Sequence, residues 1–355
     1  MICQAIWASV RTMLLIACWM LIVACSSQSQ VPAPLPETSV GTADPTAVTR
    51  AMLRQIQALK TAYPTTAATM APLWLAKDQG IFAEYGLDVD LALVTSGPTL
   101  LGSILSGETP IAMSGASQPI EATLQGADFV ILGSTMPYMP NSVYVHPSIE
   151  SPQDLRGKVL GVSSYGSITH IALRAAFELW GLEEGRDVTV VRTGGVPEIL
   201  AAMESGITVG GAFSPPQTFT ARNLGYRELI NLAAARYEFG SAVVTSTRRY
   251  VVDQPEVTER YLAALHRGLK LFKADRDAAI QVIMRYGGGL DHTVAEETWT
   301  WYRDKLSDNL IVSPKAIQNH LHFMAEQWPE AVNTPMERFV DNSFAQRLAT
   351  GSHIR

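Results

Sequence analysis

Four short stretches of this 355-residue chain concentrate hydroxyl, glycine and aromatic residues, each between a strand-like apolar run and a helical one. They are Tyr63-Pro64-Thr65-Thr66, the run from Ser114 to Ser117, the run from Ser163 to Thr169 with Gly166 and Ser167 inside it, and Phe213-Ser214-Pro215. Residues of these types bind rather than react. Hydroxyls and unpaired backbone N–H groups at the amino end of a helix, where the dipole is positive, suit a polar or anionic ligand, and each hydroxyl is equally suited to capping its own helix. Arg192, after a strand-like run, can pair with an anion. Tyr63, Tyr138, Tyr165, Phe213 and Tyr237 can box a flat organic ligand or fill the core.

A reaction centre is not evident. Cysteines occur only at Cys3, Cys18 and Cys25, and the chain has no Walker-type phosphate loop, no HExxH and no G-x-S-x-G elbow. His320 and His322, two apart on an expected helix, do not share a face, so metal ligation is not expected. The expectation is a binder with no cofactor and no metal.

The elements that would position these loops alternate regularly. In MAPLWLAKDQGIFAEYGLDVD (70–90) Thr69 is placed to cap a helix, Pro72 lies in its first turn, and Gly80 ends it. Leu87, Val89, Leu91 and Leu93 then alternate with Asp88, Asp90 and Ala92 as a strand with one buried face. Upstream, a strand is expected from about Ala58 to Tyr63. Downstream, Ser96 opens a helix ending at Gly107, Thr109 to Met113 is a strand, Ser117 caps a helix ending at Gly126, and Phe129 to Leu132 is a buried strand. Thr135 to Asn141, with Pro137 and Pro140, reads as an irregular loop. A second set follows Ser151, with strands at 158–162, 187–191 and 207–213 and a helix from Ser167 through Trp180 closed by Gly181. Beyond Pro255 the pattern is helical. Strands alternating with helices of this length imply mostly parallel sheets covered on both faces, and the length implies two lobes.

At the amino end, Arg11 precedes an apolar run, Met13 to Val23, too short for a comfortable membrane span. Leu21-Ile22-Val23-Ala24-Cys25 resembles a bacterial lipoprotein box, which implies a signal peptide over 1–24 and a lipid on Cys25. Residues 25–50, rich in Ser, Thr and Pro, read as a tether. The net charge of −6 and the lack of a basic patch argue against nucleic acid as a partner.

The run APLWLAKDQGIFAEYGLDVDL, followed in order by SGETPIAMSG (106–115), GADFVILGS (126–134), SPQDLRGKVLGV (151–162) and GITVGGAFSPPQ (206–217), resembles the nitrate, sulfonate and taurine type of solute-binding protein, a superfamily shared with thiamine-pyrimidine-precursor proteins. The resemblance implies an α/β fold of the type II periplasmic-binding-protein kind, with two α/β lobes joined by two crossovers near 142–145 and 240–246. Lobe 1 would span 51–143 and 244–355, and lobe 2 would span 144–243. It also implies that the four loops converge on a cleft, giving Tyr63, Thr65, Thr66, Ser114, Ser117, Tyr138, Ser163, Gly166, Ser167, Thr169, Arg192, Phe213 and Ser214 as ligand-binding candidates. The implied function is a lipid-anchored, extracytoplasmic, monomeric component of an ABC importer, with a permease and an ATPase as partners, for sulfonate, nitrate, taurine or a similar solute. A pyrimidine-precursor binder, a module feeding a sensor and a pyrimidine-synthase-like enzyme are the alternatives; the chain lacks the cysteine-rich run that such an enzyme uses.

Overall fold

Gln57–Tyr63 (β1) and Leu87–Leu93 (β2) pair in parallel from Gln57↔Leu87 to Tyr63↔Leu93, with Leu87 and Val89 buried and Asp88 and Asp90 exposed. The computed structural model describes residues 56–351. The expected signal peptide, the tether and Cys25 lie outside the described residues.

Between β1 and β2, helix α1 (Ala71–Asp78) buries Leu73, Trp74 and Leu75 against Leu59 and Val89. Thr69 does not cap it, contrary to expectation. The chain enters the helix through a 3₁₀ turn, Ala68–Met70, so the residue before the helix is already in helical geometry and Thr69 is buried within the turn. Ser96 does cap α2 (Gly97–Ser106), accepting from the Thr99 N–H. Ile111–Ser114 (β3) and α3 (Ser117–Leu124) follow.

Phe129–Tyr138 (β4) is longer than expected, extending through most of the stretch read as an irregular loop. Pro137 is accommodated because it falls at a register shift, between Met136↔Ala242 and Tyr138↔Glu238, where its missing N–H removes no ladder bond. The order of the first sheet is β2-β1-β3-β10-β4, where β10 is Glu238–Thr247.

The second sheet repeats this plan. It contains Ser142–Val145 (β5), Val159–Val162 (β6), Thr189–Arg192 (β7), Gly210–Phe213 (β8) and Arg227–Asn231 (β9) in the order β7-β6-β8-β5-β9. Helices α4 (Ile168–Trp180), α5 (Val196–Glu204) and α6 (Gln217–Asn223) connect its strands. In each sheet four strands share one direction. The reversed strand, β10 in the first and β5 in the second, is the one that has just arrived from the other sheet, so its two pairings are antiparallel.

The chain passes between sheets at 139–141 and again at 232–237, a few residues before each expected crossover. Residues 142–145 and 240–246 are instead paired within their sheets, where ladder bonds hold them. The two passages are tied side by side: Met139 N–H donates to Tyr237 O at 2.9 Å, and Leu232 N–H to Asn141 O at 3.1 Å.

Helix α7 (Pro255–Ala274) packs on α1, and Gly268 permits the approach: a Cβ there would stand 2.5 Å from Pro72 O and 2.7 Å from Ala76 Cβ. After it come α8 (His292–Arg303) and α9 (Pro314–Met324). Ile317 and Leu321 of α9 pack with Ile131 and Val243 of the first sheet, while Phe323 joins the core under the second. Among the described residues no helix is long and apolar enough to cross a membrane.

Candidate functional site

Loops from both sheets, one passage between them and two C-terminal helices enclose a cavity of about 600 Å³. Its wall is formed by Pro64, Thr65, Ala67 and Thr69 after β1; by Gly115 to Gln118 and Glu121 at the start of α3; and by Pro140 and Asn141 in the passage. Gly166 to Ile168 and Ile171 at the start of α4, Ser214 after β8, Phe239 and Ser241 on β10, Tyr302 and His320 complete it. A neighbouring chamber of about 310 Å³ shares Ser117, Glu121, Gly166, Ile171, Phe239 and His320 with it, and adds Tyr165, Arg174 and Trp328 among others. Cavities of this size accommodate organic ligands of several rings or substituents.

His320 is the buried centre of this wall. Its Nε2–H donates to the carbonyl of Phe239, and since a carbonyl only accepts, Nδ1 must be the unprotonated nitrogen, accepting from the Ser117 hydroxyl at 3.1 Å. The ring lies over that of Phe239, with centroids 3.8 Å apart. Burial pushes the imidazole down to about 4, so it is neutral near pH 7. Ser117, expected as a helix cap, instead spends its proton on His320 and can only accept from a ligand.

The loop from Ser163 to Thr169 is closed on itself. Ser163 Oγ donates to Ser167 Oγ at 2.9 Å, Ser167 Oγ donates to Ser164 O at 2.6 Å, and Thr169 Oγ1 accepts from Ser163 N–H at 3.0 Å. Ser167 caps α4, and Gly166, at φ +76, donates its N–H to His170 Nδ1 at 2.9 Å. Two other groups have no such partners. Asn141 and Tyr302 are 2% and 0% exposed, and neither Asn141 Oδ1 nor the Tyr302 hydroxyl has a hydrogen-bond partner. Burial raises the Tyr302 phenol above its ordinary range, so it remains a donor.

Of the residues expected at the site, Thr65, Ser117, Gly166, Ser167 and Ser214 line the cavity. Thr65 Oγ1 accepts from Ala67 N–H at 3.2 Å. The others lie elsewhere, each for a reason visible in the packing. Tyr63 is a core residue set edge-on to Trp74 at 5.8 Å, and Phe213 is buried against Tyr144 and Ile199. Ser114 is inside β3, bonded to Thr245 Oγ1 at 2.7 Å. Tyr138 accepts at its hydroxyl from Arg236 at 3.1 Å, Thr66 is exposed, and Ser163 and Thr169 serve the closed loop. Arg192 is exposed at the end of β7, the edge strand of its sheet, whereas the central strand β8 delivers Ser214 to the cavity.

Several wall residues carried no local signal, among them Asn141, Tyr302, Phe239 and His320. Glu121 did carry one: it lies four residues after Ser117 on α3, hence on the same helix face. It is the one acidic residue on the wall of the larger cavity, and no lysine or arginine lines that cavity among the described residues. The described residues also contain no group of three or more His, Cys, Asp or Glu placed to hold a metal.

A family model described as NMT1/THI5 like matches residues 67–279, more than half of the chain. The chain belongs to that family. The chain is similar to the riboflavin-binding protein RibY of Chloroflexus aurantiacus, 24% identical over 272 residues that make up 75% of each chain. Two solved structures share the fold. The alkanesulfonate-binding protein SsuA of Xanthomonas axonopodis, bound to MOPS, is 20% identical with a TM-score of 0.60 over 81% of this chain and 98% of that one. The nitrate-binding protein NrtA of Synechocystis is 12% identical with a TM-score of 0.62 over 84% and 89%. The periplasmic-binding-protein fold, with two α/β sheets, is therefore the architecture of this NMT1/THI5-like chain.

Proposed function

We propose that this chain is the extracytoplasmic solute-binding component of an ABC-type importer, anchored by a lipid on Cys25 after removal of residues 1–24, monomeric, and served by a separate permease and ATPase. Its two lobes are the regions built on the two sheets, closing about the passages at 139–141 and 232–237. The observation that carries the reading is the 600 Å³ cavity, whose wall combines loops of both sheets with two buried, unpartnered polar groups, Asn141 and Tyr302. Seven buried side-chain atoms lack partners among the described residues, and these two are the ones whose residues line the cavity, where a ligand could supply the missing bond.

The solute is an organic molecule without net negative charge. This revises the expected sulfonate, nitrate or taurine, because the wall offers one carboxylate and no cation, and Arg192 stands away from it. RibY, named for binding riboflavin, is a relative consistent with a large, flat, uncharged ligand. In this reading the chain acts without catalysis: the cavity hydroxyl that faces an imidazole, Ser117 on His320, meets a ring whose pKa burial lowers to about 4, which makes it a poor general base. A sensor-feeding role has the same cleft, and the genomic neighbourhood separates it from transport.

A thermal-shift panel of nitrate, taurine, an alkanesulfonate, riboflavin and an aminopyrimidine tests the reading. A ligand at about 100 times its dissociation constant adds roughly 2.7 kcal/mol of stability. Stabilisation by riboflavin or the pyrimidine, with compaction in small-angle scattering, is the expected result. Stabilisation confined to the three anions would restore the anion reading.

A further inference from the structure

Glu121 stands where the two chambers meet, and its charge is uncompensated. It lines both, it is half-buried, and its carboxylate has neither an ion pair nor a hydrogen bond among the described residues. The nearby cation is already committed: Arg174 holds Glu326 through two hydrogen bonds, at 3.2 and 2.6 Å, and its guanidinium lies 5.1 Å from the centroid of the Phe323 ring. His320 supplies no charge either, because both ring nitrogens are engaged and burial keeps it neutral. The cavity wall is thus net negative by one at its junction.

Closure of the cleft removes water and lowers the local dielectric, which makes that single charge decisive. An anionic ligand would then face a like charge in a medium where two charges a few ångströms apart repel by several kcal/mol. A ligand cation would be paired instead. Two aromatic side chains of the smaller chamber, Tyr165 and Trp328, favour the same sign. An independent sign of a ligand is on the wall of the larger chamber, where Asn141 Oδ1 and the Tyr302 hydroxyl are buried without partners.

We propose that the ligand is a flat organic molecule carrying a protonated nitrogen, with the ring held near Asn141 and Tyr302 and the cationic nitrogen paired with Glu121. This rests on the solute-binding reading and narrows it. Ser117, four residues before Glu121 on α3, adds an acceptor for the same N–H donors, since its own proton is used on His320.

The test uses trios that share one ring and differ in a single cationic, neutral or anionic substituent: benzylamine, benzyl alcohol and benzoate, and pyridoxamine, pyridoxine and 4-pyridoxate. They are titrated into the purified wild-type protein and into Glu121→Gln and Glu121→Asp, alongside riboflavin. The cationic member of each trio should bind the wild type most tightly, Glu121→Gln should lose about 10-fold or more of that affinity, as expected for a charged hydrogen bond, and Glu121→Asp should recover part of it. The melting temperature of the free variants should match the wild type, because Glu121 makes no contact whose loss would unfold α3. Equal binding within each trio, or a preference that survives Glu121→Gln, overturns the assignment. Riboflavin, which carries no protonated nitrogen, bound more tightly than either amine and indifferent to Glu121→Gln overturns it too, while leaving the solute-binding reading intact. Failure of every probe here and in the thermal-shift panel overturns both.

Discussion

The hydroxyls of Ser163, Ser167 and Thr169 satisfy one another, whereas Asn141 Oδ1 and the Tyr302 hydroxyl, on the same cleft, have no partner. The first set stands on a loop between consecutive elements, β6 and α4, where local hydrogen bonds form easily and hold the loop in shape. The second is assembled from a passage between sheets and a helix some 160 residues further along, positions that only the completed fold brings to one cavity. A polar group already paired within the protein has little left to offer a solute, while one buried without a partner gains from any ligand that supplies it. On the proposed reading, recognition concentrates on the second set and the first is architecture.

His320 is the extreme of the satisfied kind, so its removal should have the largest effect on the fold. Replacing it by Ala opens a cavity and orphans the Phe239 carbonyl, and should cost about 3 kcal/mol of stability, read by urea unfolding. The same residue sets a pH dependence. Its folded pKa, near 4, lies below the ordinary value of about 6.5, so the unfolded chain takes up the proton first as the pH falls. Its contribution is fully present above about 6.5 and declines toward pH 4, by on the order of 3 kcal/mol. A His320→Gln variant should lose that part of the slope. An unchanged slope would mean that the imidazole is not held neutral, and the satisfied set would lose its clearest member.

Tyr302→Phe asks the opposite question. Deleting a buried hydroxyl that has no partner should leave the free protein as stable as before, or more stable by up to about 1 kcal/mol. The affinity for the tightest probe of the screen should fall roughly 2-fold to 13-fold, the worth of one neutral hydrogen bond. A large loss of stability, with affinity unchanged, would reassign Tyr302 to the architectural set.

Ser167→Ala should show the reverse pattern. The hydroxyl accepts from Ser163 and from the His170 N–H and donates to Ser164 O, so its loss should lower the unfolding free energy by about 1 kcal/mol, the usual worth of a helix cap, with little change in affinity. A drop in affinity at constant stability would show that the hydroxyl reorients toward the ligand on closure.

The same contrast explains what could be read in advance. Periodicity and caps are local, so the alternation at Leu87 to Leu93, the helix closed by Gly181 and the αβ order were legible, and the quoted motifs pointed to the family. Strand boundaries near prolines were not, because pairing with β10 carried β4 past Pro137 to Tyr138. Within the site, loop residues such as Thr65, Ser117, Gly166, Ser167 and Ser214 could be placed from their position between strand and helix. Whether a hydroxyl is free or already paired depends on partners as distant as Ser117 and His320, 203 residues apart, and no local pattern reports that.

The smallest expected effect falls on Arg192. By residue type it was the natural partner for an anion after a second-lobe strand. In the fold it terminates β7, the edge strand, and its exposed side chain is not part of the cavity wall. An exposed charge far from the ligand is screened by water and salt, so Arg192→Ala should change neither stability nor affinity by more than about 0.5 kcal/mol. Calorimetric titration at low and high salt checks this, since long-range attraction of an anionic solute would weaken with salt in the wild type and vanish in the variant. A loss of affinity in Arg192→Ala that is larger at low salt than at high salt would place an anion within its reach, and would bring back the sulfonate class that the proposed pairing at Glu121 disfavours.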